Sequence, residues 1–82
     1  QALSQLDLSA ADLVLIEGYR QSPSFPRIEC HRVELKKPLL FPDDENIIAI
    51  ATNQPLDTQR QQLDINNPNQ VANFIIGWLE NT

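Results

Sequence analysis

Glycine is scarce, with two in 82 residues, Gly18 and Gly77. A phosphate cradle of the form G-x-x-x-x-G-K-[ST] needs glycines, a lysine and a hydroxyl at fixed spacing, so that backbone N–H groups, an ammonium and a metal-binding oxygen meet one phosphate chain. Neither glycine has that context, so this chain alone is not expected to hydrolyse a nucleoside triphosphate. Cysteine is limited to Cys30, which excludes an intrachain disulfide and fits a reducing compartment such as the cytoplasm. Methionine is absent. The chain opens at Gln1 in a stretch resembling the tail of a helix, and the expectation is a fragment or a processed product.

Positive charge is also sparse. Eleven acids face six Lys and Arg, a formal net charge of −5, which argues against general attraction to nucleic acid or to an anionic membrane. Long apolar runs are missing too. Residues 13–16 and 47–51 fall far short of the roughly 20 residues that span a bilayer, and no charged-then-apolar signal segment opens the chain. A soluble, unexported protein is expected.

What is present is enough apolar sequence for one modest core: 41% hydrophobic and 21% charged residues, too apolar for intrinsic disorder. Residues 2–6 resemble the last turn of a helix. Residues 12–17 (Asp-Leu-Val-Leu-Ile-Glu) form a continuous apolar run, which predicts a strand covered on both faces of a parallel sheet. Gly18 ends it. Pro23 and Pro26 mark a loop. Residues 27–31 alternate polar and apolar, predicting a half-exposed strand with a bulge or strand end near His31 and Arg32.

Leu39 to Phe41 reads as a short extended piece, and residues 42–46 as a turn. A second doubly covered strand is predicted over 47–52, then a polar loop or single helical turn over 55–62 and a short strand over 63–65. Asn67 is placed to cap a helix with Pro68 at its first position. Val71, Phe74, Ile75, Trp78 and Leu79 then follow as one apolar stripe. Two strands wanting cover on both faces thus accompany one helix, and residues 18–46 supply no helical crossover. The missing cover is expected from an absent N-terminal half, from a second subunit, or from both.

Chemistry is most readily placed at Glu17 and Gly18. A carboxylate at the end of a buried strand sits where α/β sheets bind ligands, and Mg²⁺ takes few protein ligands besides its waters. Equally, Glu17 is a solvated residue where a strand surfaces, with Gly18 serving the turn. Arg20, Arg27, Arg32, Lys36 and Lys37 lie in one stretch whose only acids are Glu29 and Glu34, giving it a local charge of +3. They offer a contact for an anion or an acidic partner, or simply a solvated face. Cys30 and His31, adjacent on a strand, point to opposite faces. Cys30 is expected in the core and His31 on the surface, with no metal site or thiol catalyst. Phe74 and Trp78 are expected as core packing.

In order along the chain, residues 12–20 (Asp-Leu-Val-Leu-Ile-Glu-Gly-Tyr-Arg), 27–32 (Arg-Ile-Glu-Cys-His-Arg), 37–41 (Lys-Pro-Leu-Leu-Phe), 46–52 (Asn-Ile-Ile-Ala-Ile-Ala-Thr) and 63–68 (Leu-Asp-Ile-Asn-Asn-Pro) carry a resemblance. As a set they resemble the C-terminal half of the molybdopterin-guanine dinucleotide biosynthesis adaptor family, the MobB family of P-loop GTP-binding proteins. The resemblance implies an α/β fold: the C-terminal part of a P-loop-type, mostly parallel sheet with a C-terminal helix, lacking the phosphate-loop half, so that residues 1–82 form a single partial domain. It implies GTP and Mg²⁺ as cofactors of the complete protein, neither bound by this piece alone. Glu17 and Gly18 would match the Walker B element, holding the metal and sensing the terminal phosphate. Thr52 and Asn53 would lie near the guanine base, where the family commonly has Asp in place of Asn53. A molybdenum cofactor guanylyltransferase is the implied partner and a homodimer the implied assembly, with no nucleic acid or membrane. The reading from another class is a non-catalytic dimerisation or protein-binding module without a nucleotide.

Overall fold

The computed structural model describes residues 8, 12–16 and 26–80. Four strands and one α-helix follow in the order β1 (Leu13–Leu15), β2 (Arg27–His31), β3 (Ile47–Thr52), β4 (Gln61–Asp64) and α1 (Pro68–Glu80), with 3₁₀ turns at Val33–Leu35 and Phe41–Asp43. The strands form one sheet in sequence order. β2, β3 and β4 are parallel, and β1 pairs antiparallel with β2. The result is a small α/β domain, a mixed and mostly parallel sheet with one C-terminal helix.

The apolar residues sort by face. Ile28 and Cys30 of β2 lie beside Ala49 and Ala51 of β3. With Leu63, Ile65, Val71 and Ile75 they make the buried cluster beneath α1. Each fully buried Val or Ile side chain contributes roughly 1.5–3 kcal/mol relative to exposure, so this face supplies most of the hydrophobic stabilisation. Asn67 caps α1 as expected, its Oδ1 accepting from the Gln70 N–H at 3.1 Å. Phe74, Trp78 and Leu79 pack against the same cluster. Gly77 borders open space on its Cβ side, so no packing contact there requires a glycine.

The opposite face carries Glu29 and Ile50, register partners on β2 and β3 and both buried. Its cover is the β2–β3 connection, residues 32–46. The carboxylate of Glu29 accepts hydrogen bonds from the backbone N–H groups of Leu40 (2.8 Å) and Phe41 (2.9 Å), which ties that segment to the sheet. A parallel pair is thus joined here through two 3₁₀ turns instead of a helix. The β3–β4 connection, residues 53–60, is shorter than the usual crossover. Gln62 holds it by accepting from Leu56 N and donating to Leu56 O.

Several expectations are corrected. Residues 12–17 do not form a doubly covered parallel strand: β1 is three residues long, antiparallel and half-buried, with Leu15 48% exposed. The physical reason is its place at the end of the sheet order, with β2 as its one neighbour among the described residues. β2 is central and buried at Ile28, Glu29 and Cys30, because both faces are covered, so it is not half-exposed. β2 ends at His31, the strand end expected there, and a register irregularity lies between Arg27 and Ile28. Leu39 to Phe41 is no extended piece, since Phe41 opens a 3₁₀ turn. The predicted strand over 63–65 starts earlier, at Gln61. The doubly covered strand over 47–52 is found as β3, buried at every position but Ile48. The helical turn expected over 2–6 lies outside the described residues.

Candidate functional site

Parallel strands place their carboxyl ends together, and in α/β sheets ligands bind in the crevice beyond those ends. Here His31, Thr52 and Asp64 are register neighbours in one row across β2, β3 and β4. Past that row lies an open depression of about 400 Å³ lined by Thr52, Asn53, Gln54, Pro55, Asp64 and Asn66, among others. The structure therefore brings Thr52 and Asn53, two of the residues singled out from sequence, to the rim of one concavity.

Their polar atoms are largely occupied by the protein. Thr52 Oγ1 donates to Gln54 O at 2.9 Å and accepts from Gln54 N at 3.2 Å. Asn53 Oδ1 accepts from Val33 N at 3.1 Å, and its Nδ2 donates to Glu34 Oε1 at 2.7 Å. Both ends of the Asn53 amide thus clamp the first 3₁₀ turn against the end of β3. The Glu34 carboxyl is held below the ordinary carboxylate range, first by its own backbone N–H and then by Asn53.

The cations are dispersed. Arg32 and Lys37 share a cleft of about 220 Å³ that also takes in Asp12, Cys30, His31 and Leu40. Arg32 Nη2 donates to Leu8 O at 3.0 Å, and Lys37 pairs with Asp12 at 3.1 Å with both side chains exposed, a pair of little energetic weight. Lys36 is exposed at a left-handed φ of 56°, and its N–H closes the turn on Val33 O. Arg27 stands at the other end of β2, paired with Asp44 at 2.6 Å. Glu17, Gly18 and Arg20 lie outside the described residues. The strand before Glu17 runs antiparallel, and Ile16 N donates to Pro26 O at the amino-terminal side of β2, away from Thr52 and Asn53.

Cys30 is buried, and desolvation pushes its thiol up to about 11 despite the nearby Arg32. It is protonated at neutral pH and acts as a core residue. Among the described residues no three His, Cys, Asp or Glu side chains are grouped to hold a metal ion, and no helix is long and apolar enough to cross a membrane.

Three residues escaped the sequence reading. Glu29 looks like an outward position of an alternating strand, and no local signal marks its two backbone partners. Arg60 donates through Nη1 to Asp44 O and Ile47 O and lies 5.2 Å from the Phe41 ring centroid, fixing the amino end of the sheet. Asp64 sits at the end of a polar strand where many surface acids sit.

The comparisons with known proteins bear on this arrangement. The family described as Molybdopterin guanine dinucleotide synthesis protein B matches residues 1–53, a span that contains β1, β2, β3 and Asn53. Two proteins bearing the name Molybdopterin-guanine dinucleotide biosynthesis adapter protein are similar in sequence. The one from Haemophilus influenzae is 50% identical over 76 residues, covering 92% of this chain and 41% of that protein. The one from Escherichia coli is 30% identical over 88 residues, covering 94% of this chain and 44% of that protein. The chain thus spans less than half the length of the curated relatives it matches. No solved structure matches it significantly. The match over the larger part of the chain, spanning β1, β2 and β3, shows that the chain belongs to the family of the molybdopterin guanine dinucleotide synthesis protein B.

Proposed function

We propose that this chain is the base-side half of a GTP-binding adaptor that assists a guanylyltransferase in joining GMP to molybdopterin in the cytoplasm. The observation that carries the reading is the open depression at the carboxyl ends of β3 and β4, rimmed by Thr52 and Asn53. Family membership supports it. The phosphate cradle has no counterpart in these 82 residues, so phosphate binding and any hydrolysis fall to other parts of the full-length protein.

Glu17 is the proposed Mg²⁺ contact and Gly18 the sensor of the terminal phosphate. Titrating the full-length protein with GTP across Mg²⁺ concentrations, beside Glu17→Ala, tests the assignment. A steep loss of Mg²⁺ dependence in the variant is expected, and an unchanged dependence removes Glu17 from the site.

A second reading has its own observation. Val33, Leu35 and Leu40 are exposed on the same connection as Arg32, Lys36 and Lys37, which suits a face for an acidic, partly apolar protein surface, whether the transferase or a second copy. Light scattering of the full-length protein with and without GTP separates the readings. Assembly through this face persists without nucleotide.

A further inference from the structure

The cleft at the carboxyl end of β2 is distinct from the depression beyond β3 and β4, and its donors are largely uncommitted. Arg32 follows His31, the last residue of β2, and the two line a cleft of about 220 Å³ with Lys37 and an apolar wall of Leu35, Pro38 and Leu40. Among the described residues no carboxylate lies within ion-pair distance of the Arg32 guanidinium. Of its five N–H groups, one on Nη2 donates to Leu8 O at 3.0 Å, and the others have no partner among the described residues. Arg60 is the contrast: its Nη1 is spent on two carbonyls and its guanidinium lies over the Phe41 ring. The half-buried His31 ring likewise has no hydrogen-bond partner among the described residues.

Two acids share the lining, and both are committed. Glu29 accepts from the Leu40 and Phe41 amides. Asp12 takes Lys37 at 3.1 Å in an exposed pair, and an ammonium has three donors, so Lys37 can turn to a second anion without leaving Asp12. With His31 neutral, the formal charges of the lining cancel, so recognition here depends on directed N–H donors and not on a net field. An arginine fork suits the oxygens of a phosphate or carboxylate. The cleft is smaller than the ~300–1,000 Å³ pockets that enclose a drug-sized ligand, so it takes one anionic group and the atoms next to it.

We propose that this cleft binds the phosphate of a phosphate monoester, with Arg32 as the fork, His31 and Lys37 as further donors, and the apolar wall against the organic part. The choice of phosphate over carboxylate rests on the guanylyl-transfer reading above, because a dinucleotide forms only when GMP is joined to a phosphate already on its acceptor. The donor set rests on geometry alone. His31 is beside Thr52 in the β2–β3 register, which puts the cleft one strand away from the base-side depression and sets both at the same end of the sheet, where α/β sheets bind ligands.

The test follows the assigned His31 ring resonances of the full-length protein, with GTP and Mg²⁺ present, during titration with phenyl phosphate, inorganic phosphate and benzoate. Saturable shifts are expected, with phenyl phosphate binding more tightly than the other two. Arg32→Gln is expected to weaken phenyl phosphate roughly 10- to 100-fold, the scale of hydrogen bonds to a charged group, and Arg32→Lys to fall between. Asp12→Asn keeps an acceptor for Lys37 and removes a like charge, so it is expected to tighten binding roughly 2- to 5-fold, the scale of an exposed charge pair. No folding defect imitates that gain. Arg27→Gln makes the same charge change at the other end of β2 and is expected to leave binding unchanged. Unmoved His31 resonances overturn the proposal, as does equal weakening by Arg27→Gln and Arg32→Gln, or benzoate binding as tightly as phenyl phosphate. GTP affinity measured on the same samples separates the two readings. A protein that binds GTP and leaves His31 unmoved loses the cleft alone, while one that binds phenyl phosphate at His31 and no GTP keeps the anion site and sinks the nucleotide reading.

Discussion

The two faces of the sheet are covered by different physics. On one, α1 buries Val71 and Ile75 against Ile28, Cys30, Ala49, Ala51 and Leu63, a non-directional association that scales with apolar area. On the other, residues 32–46 are held by directional hydrogen bonds from three side chains. Glu29 grips the Leu40 and Phe41 amides, Asn53 grips Val33 and Glu34, and Arg60 grips Asp44 and Ile47. The helix face tolerates exchange of one apolar residue for another of similar volume. The strapped face depends on individual atoms, and its strap leaves Val33, Leu35 and Leu40 exposed.

The largest break of this contrast is on the helix face. Ile75→Ala in the full-length protein removes a side chain only 4% exposed and is expected to cost roughly 2–5 kcal/mol, read as a lowered denaturation midpoint. A cost within experimental error means that α1 is not an anchor of the core.

Glu29→Gln comes next. The amide keeps one acceptor for two backbone donors and gives up the charge, for a loss of roughly 1–3 kcal/mol. The sharper readout is local: hydrogen exchange at Leu40 and Phe41 should accelerate more than at Val71 or Ile75. Uniform acceleration would mean that the strap and the helix face unfold as one unit.

The smallest effect concerns the Asn53–Glu34 contact. Because Glu34 titrates below its ordinary value in the folded protein, its contribution is complete above the unfolded-state value and is lost as the pH falls through the folded one. Glu34 is fully exposed to solvent, so the expected change is in the Asn53 side-chain amide resonances below the ordinary carboxylate range, with little change in global stability. Asn53 resonances that do not respond to acid would detach Glu34 from the clamp.

The same contrast explains what was legible. The helix face writes itself into sequence as a period, and the stripe from Val71 to Leu79, the Asn67 cap and the apolar run of β3 were all recognisable. The strapped face has no period. Glu29 occupies an outward position in an alternating strand, and its partners, eleven and twelve residues away, are backbone amides that no side-chain identity marks. At the candidate site, Thr52 and Asn53 were legible as a strand end. The engagement of the Asn53 amide by Val33 and Glu34 required coordinates.

The sequence by itself determined a small α/β domain with a capped, amphipathic C-terminal helix, a doubly buried strand at residues 47–52 and no phosphate cradle, because residue spacing and glycine content act locally. Only the tertiary structure decided that β1 pairs antiparallel at the edge, that Glu29 is buried as a strap, and that Arg27 and Arg32 stand at opposite ends of β2. Those outcomes depend on which strands become neighbours, and strand neighbours are chosen by contacts distant in sequence.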